Sequence, residues 1–321
     1  MKAMRAHQAG GPEQLRYEDA PEPSPGDGQV LGRVRAAGIN PADLVRLSGT
    51  LAPLKFPYIT GTDVCGEVEA LGAGVTGVTP GDRVFGRSLG AGYAEKTCLL
   101  AREAIPLPDG LSFEEGAAIP IPFYTAYYAL HHKAGLKTGE TVLVTAGGGG
   151  VGVAAIQLAK VAGARVLTTV GSDDKAERTR ELGADVAINY KQQDFAAEVL
   201  AHTDNRGADV IVENVASDNL AADCTAVARS GRIVLIGTGT GKAPDATFGV
   251  LPALIKDITF YGMSLINADD AIPDMAAAIG RLFEAGKLTA PVSKTYPLSE
   301  AAQALNDLLD AKVFGKLVLR P

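Results

Sequence analysis

One stretch of eight residues, Thr145-Ala146-Gly147-Gly148-Gly149-Gly150-Val151-Gly152, constrains this chain more than any other. It follows a run of apolar β-formers at 141–145 and opens an apolar helical pattern at about 153–162. Gly147, Gly149 and Gly152 satisfy G-x-G-x-x-G. A glycine-rich turn alone would carry little weight; a strand before it and a helix after it give the pattern meaning. Gly149 would let the backbone approach a diphosphate, and Gly152 would let the helix lie close on the strand. Gly150 and Val151 fall at the helix N-terminus, where free N–H groups and the positive dipole end hold an anion. The loop predicts a bound dinucleotide.

Further apolar runs at 165–170, 186–190, 209–214, 232–237 and 258–262 alternate with helical stretches. Such alternation predicts a parallel sheet covered on both faces. Sites for NAD place Asp or Glu at the end of the second strand, on the ribose hydroxyls. Here that strand ends Val170-Gly171-Ser172, with no acid. Gly171 leaves room, and Ser172, Lys175 and Arg178 are placed to receive a 2′-phosphate. Asp173-Asp174 read as helix-capping acids. The expected cofactor is NADPH.

The rest of the chain differs in texture. Before residue 120 it is rich in Pro, Gly and short β-type runs, which predicts a small, mostly β, barrel-like domain. Near the end, Ser299 is placed to cap a helix carrying Ala302, Leu305, Leu308 and Leu309 on one face, and a strand follows at 315–319. A chain of 321 residues suits two domains. The formal charge of −7, with no block of Lys or Arg, argues against nucleic acid as a partner. No apolar run is long enough to span a bilayer, no secretory leader is read, and Cys65, Cys98 and Cys224 are sparse and far apart. These features predict a cytoplasmic protein with reduced thiols.

The motifs AAGINPAD (36–43), FPYITGTDVCGEVEALGAGV (56–75), GDRVFG (81–86), GAAIPIPFYTAYYAL (116–130), TVLVTAGGGGVG (141–152) and FGKLVL (314–319) together resemble the medium-chain dehydrogenase/reductase superfamily. Within it the chain resembles the zinc-independent quinone oxidoreductases of the ζ-crystallin type, over essentially its whole length. The resemblance implies an α/β fold: a Rossmann doubly wound parallel sheet at 124–264, and a GroES-like, mostly β catalytic domain built from 1–123 and 265–321. It implies that Asn40 lies beside the nicotinamide, with Asp43 the acid of the same motif, although Asp43 is equally placed to cap a short helix. It implies Thr125 near the nicotinamide-side phosphate, Tyr190 near the adenosine phosphate, and Thr240 and Lys316 as later cofactor contacts. It also implies a homodimer or homotetramer, with the dimer formed through the Rossmann sheet edge. Tyrosines that some relatives carry after the Asn motif are replaced here by Val45 and Leu51, which predicts a more apolar substrate pocket.

Zinc-dependent members use Cys, His and Cys ligands, and the corresponding positions read Asn40, Thr62 and the vicinity of Tyr124-Thr125. His7, His131, His132 and His202 have no partner at ligand spacing, so no metal is expected. The chemistry is then the cofactor's, delivered to a small electrophile. Reduction of a quinone needs little acid catalysis and suits a site without metal or histidine. A second reading is NADPH-dependent reduction of activated C=C bonds in enones, acrylates or enoyl thioesters, with Tyr58, Tyr124 or Tyr261 as proton donor. A third is an RNA-binding or structural crystallin-like protein that retains a cofactor site.

Overall fold

The structure, a computed structural model, describes residues 1–239, 245–310 and 312–321. It divides into two units, Met1–Ile121 with Ile272–Pro321, and Pro122–Ala271.

The leading part of the first unit carries β1 (Lys2–Ala6), β2 (Arg16–Asp19), β3 (Gln29–Gly38), helix α1 (Pro41–Leu47), β4 (Tyr58–Ile59), β5 (Asp63–Leu71), β6 (Arg83–Arg87), β7 (Lys96–Leu100), β8 (Ile105–Pro106) and helix α2 (Phe113–Ala117). Strand β3 shows why these runs are strands. Val34 and Ala36 are buried while Arg33 and Arg35 are exposed, the period-two alternation of a half-buried sheet. Opposite on β5, Glu69 and Glu67 pair with those two arginines, so the solvent face is held by cross-strand charges.

Helix α3 (Pro120–Tyr127) leads into the second unit, which begins at Pro122, and runs on into a π-helical turn at Tyr128–Lys133. The sheet of this unit is made of β9 (Thr141–Val144), β10 (Arg165–Val170), β11 (Val186–Asn189), β12 (Ala208–Glu213), β13 (Val227–Leu235) and β14 (Thr259–Gly262). Between them run α4 (Gly150–Val161), α5 (Asp173–Glu181), α6 (Phe195–Ala201), α7 (Ala216–Ala226) and α8 (Val250–Ile255). All pairings are parallel, and the order is β11-β10-β9-β12-β13-β14. The first strand is therefore central, and the order reverses between β9 and β12. The crevice outside the carboxyl ends of the strands at that reversal is where such sheets take their ligands.

The chain then returns to the first unit with α9 (Ile272–Glu284), β15 (Val292–Pro297), α10 (Ala301–Leu309) and β16 (Lys316–Arg320). Strand β16 pairs antiparallel with β3, Val318 opposite Gly38 and Leu319 opposite Ala37. The resulting seven-stranded sheet runs β15-β16-β3-β5-β6-β8, with β7 also on β3. Met4, Val34, Leu47, Val64, Tyr93, Leu99, Leu305 and Leu317 share its core. The doubly wound α/β sheet and the mostly β companion unit are the architecture the sequence predicts.

Two local expectations fail for a physical reason. Helix α4 starts at Gly150 rather than near 153, because tertiary packing draws the glycines, poor helix formers, into its first turn. Ser299 does not cap α10; it lies within a short 3-10 turn at Leu298–Glu300, and the helix begins after Glu300.

Candidate active site

The glycine loop is built to an atomic tolerance. Thr145, at the end of β9, is held by its neighbour strand: its hydroxyl donates to Glu213 Oε1 at 3.0 Å and accepts from the Asn214 N–H at 2.8 Å. Ala146 then turns through a left-handed φ of 51°, a conformation rare for a residue with a side chain. Gly147 N–H donates to Thr169 O at 2.8 Å, tying the loop to β10. A methyl on Gly147 would lie 1.9 Å from Thr168 Oγ1, and one on Gly152 would lie 2.4 Å from Ala146 O and 2.6 Å from Gly147 Cα. Both glycines are thus required by packing. Gly149 differs. A methyl there would meet only Ala146 O, at 3.4 Å. It caps α4 in an extended conformation, and Gly150 and Val151 follow as the first helical residues. Their N–H groups have no partner within the helix, and they face the side on which the dipole is positive. The surface over Gly149 is therefore an open anion cradle.

The end of the second strand is basic. The register sets Val170 opposite Asn189, which brings Tyr190 and Lys191 beside Gly171 and Ser172. Burial lowers the Lys175 ammonium below its usual range, and the charges of Lys191 and Arg178 lower it further, countered in part by the Asp174 carboxylate. Three cations and one carboxylate, Asp174, thus act on this corner, leaving a net positive field suited to a phosphate dianion. The sequence reading had two of the cations; Lys191 was missed, and only its place next to Tyr190 could have pointed to it. A methyl on Gly171 would lie 2.8 Å from Tyr190 Oη, so the glycine makes room for the half-exposed phenol. Capping falls to Ser172, whose hydroxyl accepts from Lys175 N–H at 3.3 Å, not to the paired acids. Asp173 instead accepts from Asn189 Nδ2 at 2.7 Å and Gln192 Nε2 at 3.3 Å. Its charge is thereby tied to the end of β11. Thr125, also in this unit, is buried on α3. Thr240 lies outside the described residues.

In the first unit, Asn40, Asp43, Asp63, Tyr93 and Lys316 form one buried polar network. Asn40 precedes α1, and its backbone N–H donates to Asp43 Oδ2 at 2.9 Å, so Asp43 does close the helix start. Tyr93 Oη donates to the same oxygen at 2.9 Å, and Thr62 Oγ1 donates to Asp43 Oδ1 at 3.4 Å. Arg46 donates to Thr62 Oγ1. Asn40 Nδ2 donates to Asp63 Oδ2 at 2.9 Å, and Ile121 N–H donates to Asp63 Oδ1 at 2.9 Å. Lys316 Nζ donates to Ile39 O and to Asn40 Oδ1, both at 2.6 Å, and lies 3.3 Å from Asp63 Oδ2. Burial, and then the charge of Asp63, pushes the Asp43 carboxyl up to about 6. Burial raises Asp63 and lowers Lys316, each countered by the other's charge. Val45 and Leu51 are exposed in the same region of the chain, 42% and 53%. Sequence reasoning named Asn40, Asp43 and Lys316 separately. It gave no sign that Tyr93 belongs with them.

The sequence profile described as "Zinc-binding dehydrogenase" matches residues 150–282, and "Alcohol dehydrogenase GroES-like domain" matches 26–109. A quinone oxidoreductase of Sus scrofa is 36% identical over 99% of this chain and 97% of its own. A solved structure titled as an NAD-dependent alcohol dehydrogenase is 35% identical, with a TM-score of 0.92 and 100% of both chains covered. The Escherichia coli quinone oxidoreductase, solved with NADPH, is 28% identical with a TM-score of 0.91, again over 100% of both chains. The first profile's description implies zinc, and the donor set here does not fit it. Asn40 and Thr62 offer an amide and a hydroxyl, and the Asp63 carboxylate is already taken by an ammonium and an amide. Among the described residues no group of three or more His, Cys, Asp or Glu is placed to hold a metal ion.

Proposed function

The chain belongs to the ζ-crystallin-type quinone oxidoreductases of the medium-chain dehydrogenase/reductase superfamily, and from that premise we propose that it reduces quinones with NADPH and without zinc. The observation that carries the reading is the open cradle over Gly149 at the reversal of strand order, with a basic corner one strand away.

NADPH, when bound, supplies a hydride from nicotinamide C4. The chain's own part is to bind and orient. Gly150, Val151 and Gly152 would hold the diphosphate through main-chain N–H groups, while Gly147 and Gly149, whose own N–H groups are taken by Thr169 O and Ala146 O, would shape the turn and leave room for its approach. Gly171, Ser172 and Lys175, joined by Lys191 and Arg178, would hold the 2′-phosphate, with Tyr190 at the adenosine end. We retain Thr125 and Asn40 as cofactor contacts on their motifs alone, and Asp43 would fix Asn40 by closing its helix. We retain Thr240 as a cofactor contact on its motif alone. Val45 and Leu51 would give an acceptor an apolar surface, matching a flat, electron-poor ring. We further assign the unit containing the glycine loop to the cofactor and the mostly β unit to the acceptor, and place the protein in the cytoplasm, where its buried thiols stay reduced.

A second copy of the chain is the partner we assign to the far edge of the cofactor sheet. Strand β14 ends the strand order, and Val250, Leu251, Leu254 and Ile255 on α8 beside it are each about two-thirds exposed. An unpaired parallel edge next to exposed aliphatic side chains is matched by its own two-fold copy, which pairs the edge and covers the helix.

The test is a spectrophotometric panel that follows loss of reduced cofactor, NADPH against NADH, with ortho-quinones, para-quinones and enones. Turnover of quinones with preference for NADPH is expected. Turnover of enones alone would overturn the quinone assignment, and equal use of NADH would overturn the basic corner as a 2′-phosphate site.

A further inference from the structure

Asn40 and Asp43 form a capping box at the start of the helix, the Asp43 carboxylate accepting from the Asn40 N–H at 2.9 Å, and the Asn40 amide also engages two buried charged side chains. Nδ2 donates to Asp63, and Oδ1 accepts from Lys316. Lysine only donates and an ionised carboxylate only accepts, so the two ends of the amide cannot exchange places. The three hydrogens of the ammonium face three protein oxygens, on Ile39, Asn40 and Asp63. A cofactor phosphate would have to compete with all of them. The Lys316 and Asp63 side chains are 6% and 0% exposed, so their charges act through a medium of low dielectric. What the arrangement leaves over is one Nδ2 hydrogen on Asn40.

We propose that Lys316 and Asp63 are positioning residues that fix which way the Asn40 amide faces and, by drawing charge onto Oδ1, strengthen its remaining Nδ2 hydrogen as a donor to a bound carbonyl oxygen. The inference rests on the reading that Asn40 adjoins the nicotinamide. It gives Lys316 a part in orienting that amide rather than in holding a cofactor phosphate.

The test uses Lys316→Met, the doubly neutral Lys316→Met/Asp63→Asn, Asn40→Ala, and Asn40→Ala with Lys316→Met. The double variant matters because Lys316→Met alone leaves Asp63 a buried charge without its cation and risks misfolding. In the free protein, the Asn40 Nδ2 protons are assigned in 15N spectra by their loss in Asn40→Ala. Their exchange with solvent should be at least about tenfold faster once Lys316 is removed. In turnover, kcat for quinone should fall roughly 10- to 100-fold, while the NADPH Kd moves less than about threefold. In the Asn40→Ala background, removing Lys316 should change kcat by less than about twofold. A raised NADPH Kd with kcat kept would make Lys316 a phosphate contact and overturn the proposal. Losses that multiply in the Asn40→Ala background, or unchanged proton exchange, would overturn it too. A wild-type protein that neither binds NADPH nor reduces quinones would sink the functional reading instead, and the exchange measurement on free protein would still judge the amide lock.

Discussion

Gly149 and Gly152 stand three residues apart in one loop, and alanine should separate their roles. At Gly152 the added methyl would sit 2.4 Å from Ala146 O and 2.6 Å from Gly147 Cα, both backbone atoms with no rotamer to give. Overpacking of this kind costs about 1–3 kcal/mol or more, set against about 1 kcal/mol regained from helix propensity. Contacts this short against backbone fall at the upper end of that range, so the expected net is a loss of about 2 kcal/mol in the free protein. At Gly149 the methyl meets a single atom at 3.4 Å, and φ of −82° suits any residue. Alanine is the poorer cap, but it stiffens the unfolded chain, so stability should stay within about 1 kcal/mol. That methyl would instead occupy the space through which a diphosphate approaches the helix end. The NADPH Kd should rise at least about tenfold, or about 1.4 kcal/mol. Urea denaturation followed by circular dichroism measures the first quantity. Fluorescence of the reduced nicotinamide measures the second, and a chain with no tryptophan adds no indole emission to it. Melting gives a further check: NADPH at about 100 times its Kd adds about 2.7 kcal/mol, and a tenfold weaker site adds only about half of that. Gly149→Ala that binds NADPH as the wild type does would refute the cradle, and Gly152→Ala of undiminished stability would refute the packing account.

Other outcomes follow from the same geometry. Asp43, raised from 3.8 to about 6, keeps its proton in the folded state while the unfolded chain loses it. Its contribution is complete below about pH 4 and is lost as pH rises to about 6, a change of about 3 kcal/mol. The wild-type minus Asp43→Asn difference in urea stability should therefore fall across that window; a flat difference would contradict the assignment. Lys175→Ala should weaken NADPH about tenfold or more and NADH less than about twofold, by cofactor titration, since only NADPH carries the 2′-phosphate. Leu251→Glu/Leu254→Glu should give a monomer in sedimentation experiments if α8 is covered by a second copy; an unaltered sedimentation coefficient would place any interface elsewhere.

How much of this was legible before the fold was known depends on distance along the chain. The strands of the cofactor sheet announce themselves as short apolar runs, and the glycine loop is read from its own eight residues and their two neighbours. The exact start of α4 is less legible, because local propensity argues against glycines in a first turn, and the close packing of Gly152 on Ala146 and Gly147 overrides it. Lys191 joins Lys175 through the pairing of β10 with β11, which no motif encodes. Lys316 lies 253 residues from Asp63 in sequence, so their pairing exists only once β16 has found β3. The helix position of Asp173 suits a cap, but the amides of Asn189 and Gln192 engage its carboxylate instead.

That long-range pairing has a consequence for biosynthesis. Strands β3 and β5 leave the ribosome early, yet their partner β16 is made only after the whole second unit, which consists of local α/β segments and is free to fold first. Until then Asp43 and Asp63 have no counter-cation, and an unfinished chain would have to bury two carboxylates against each other or leave that pocket wet. The arrival of Lys316 neutralises the pocket in the same step that closes the sheet. A nascent chain halted short of it should therefore remain open at this spot, a state that proteases and chaperones can recognise.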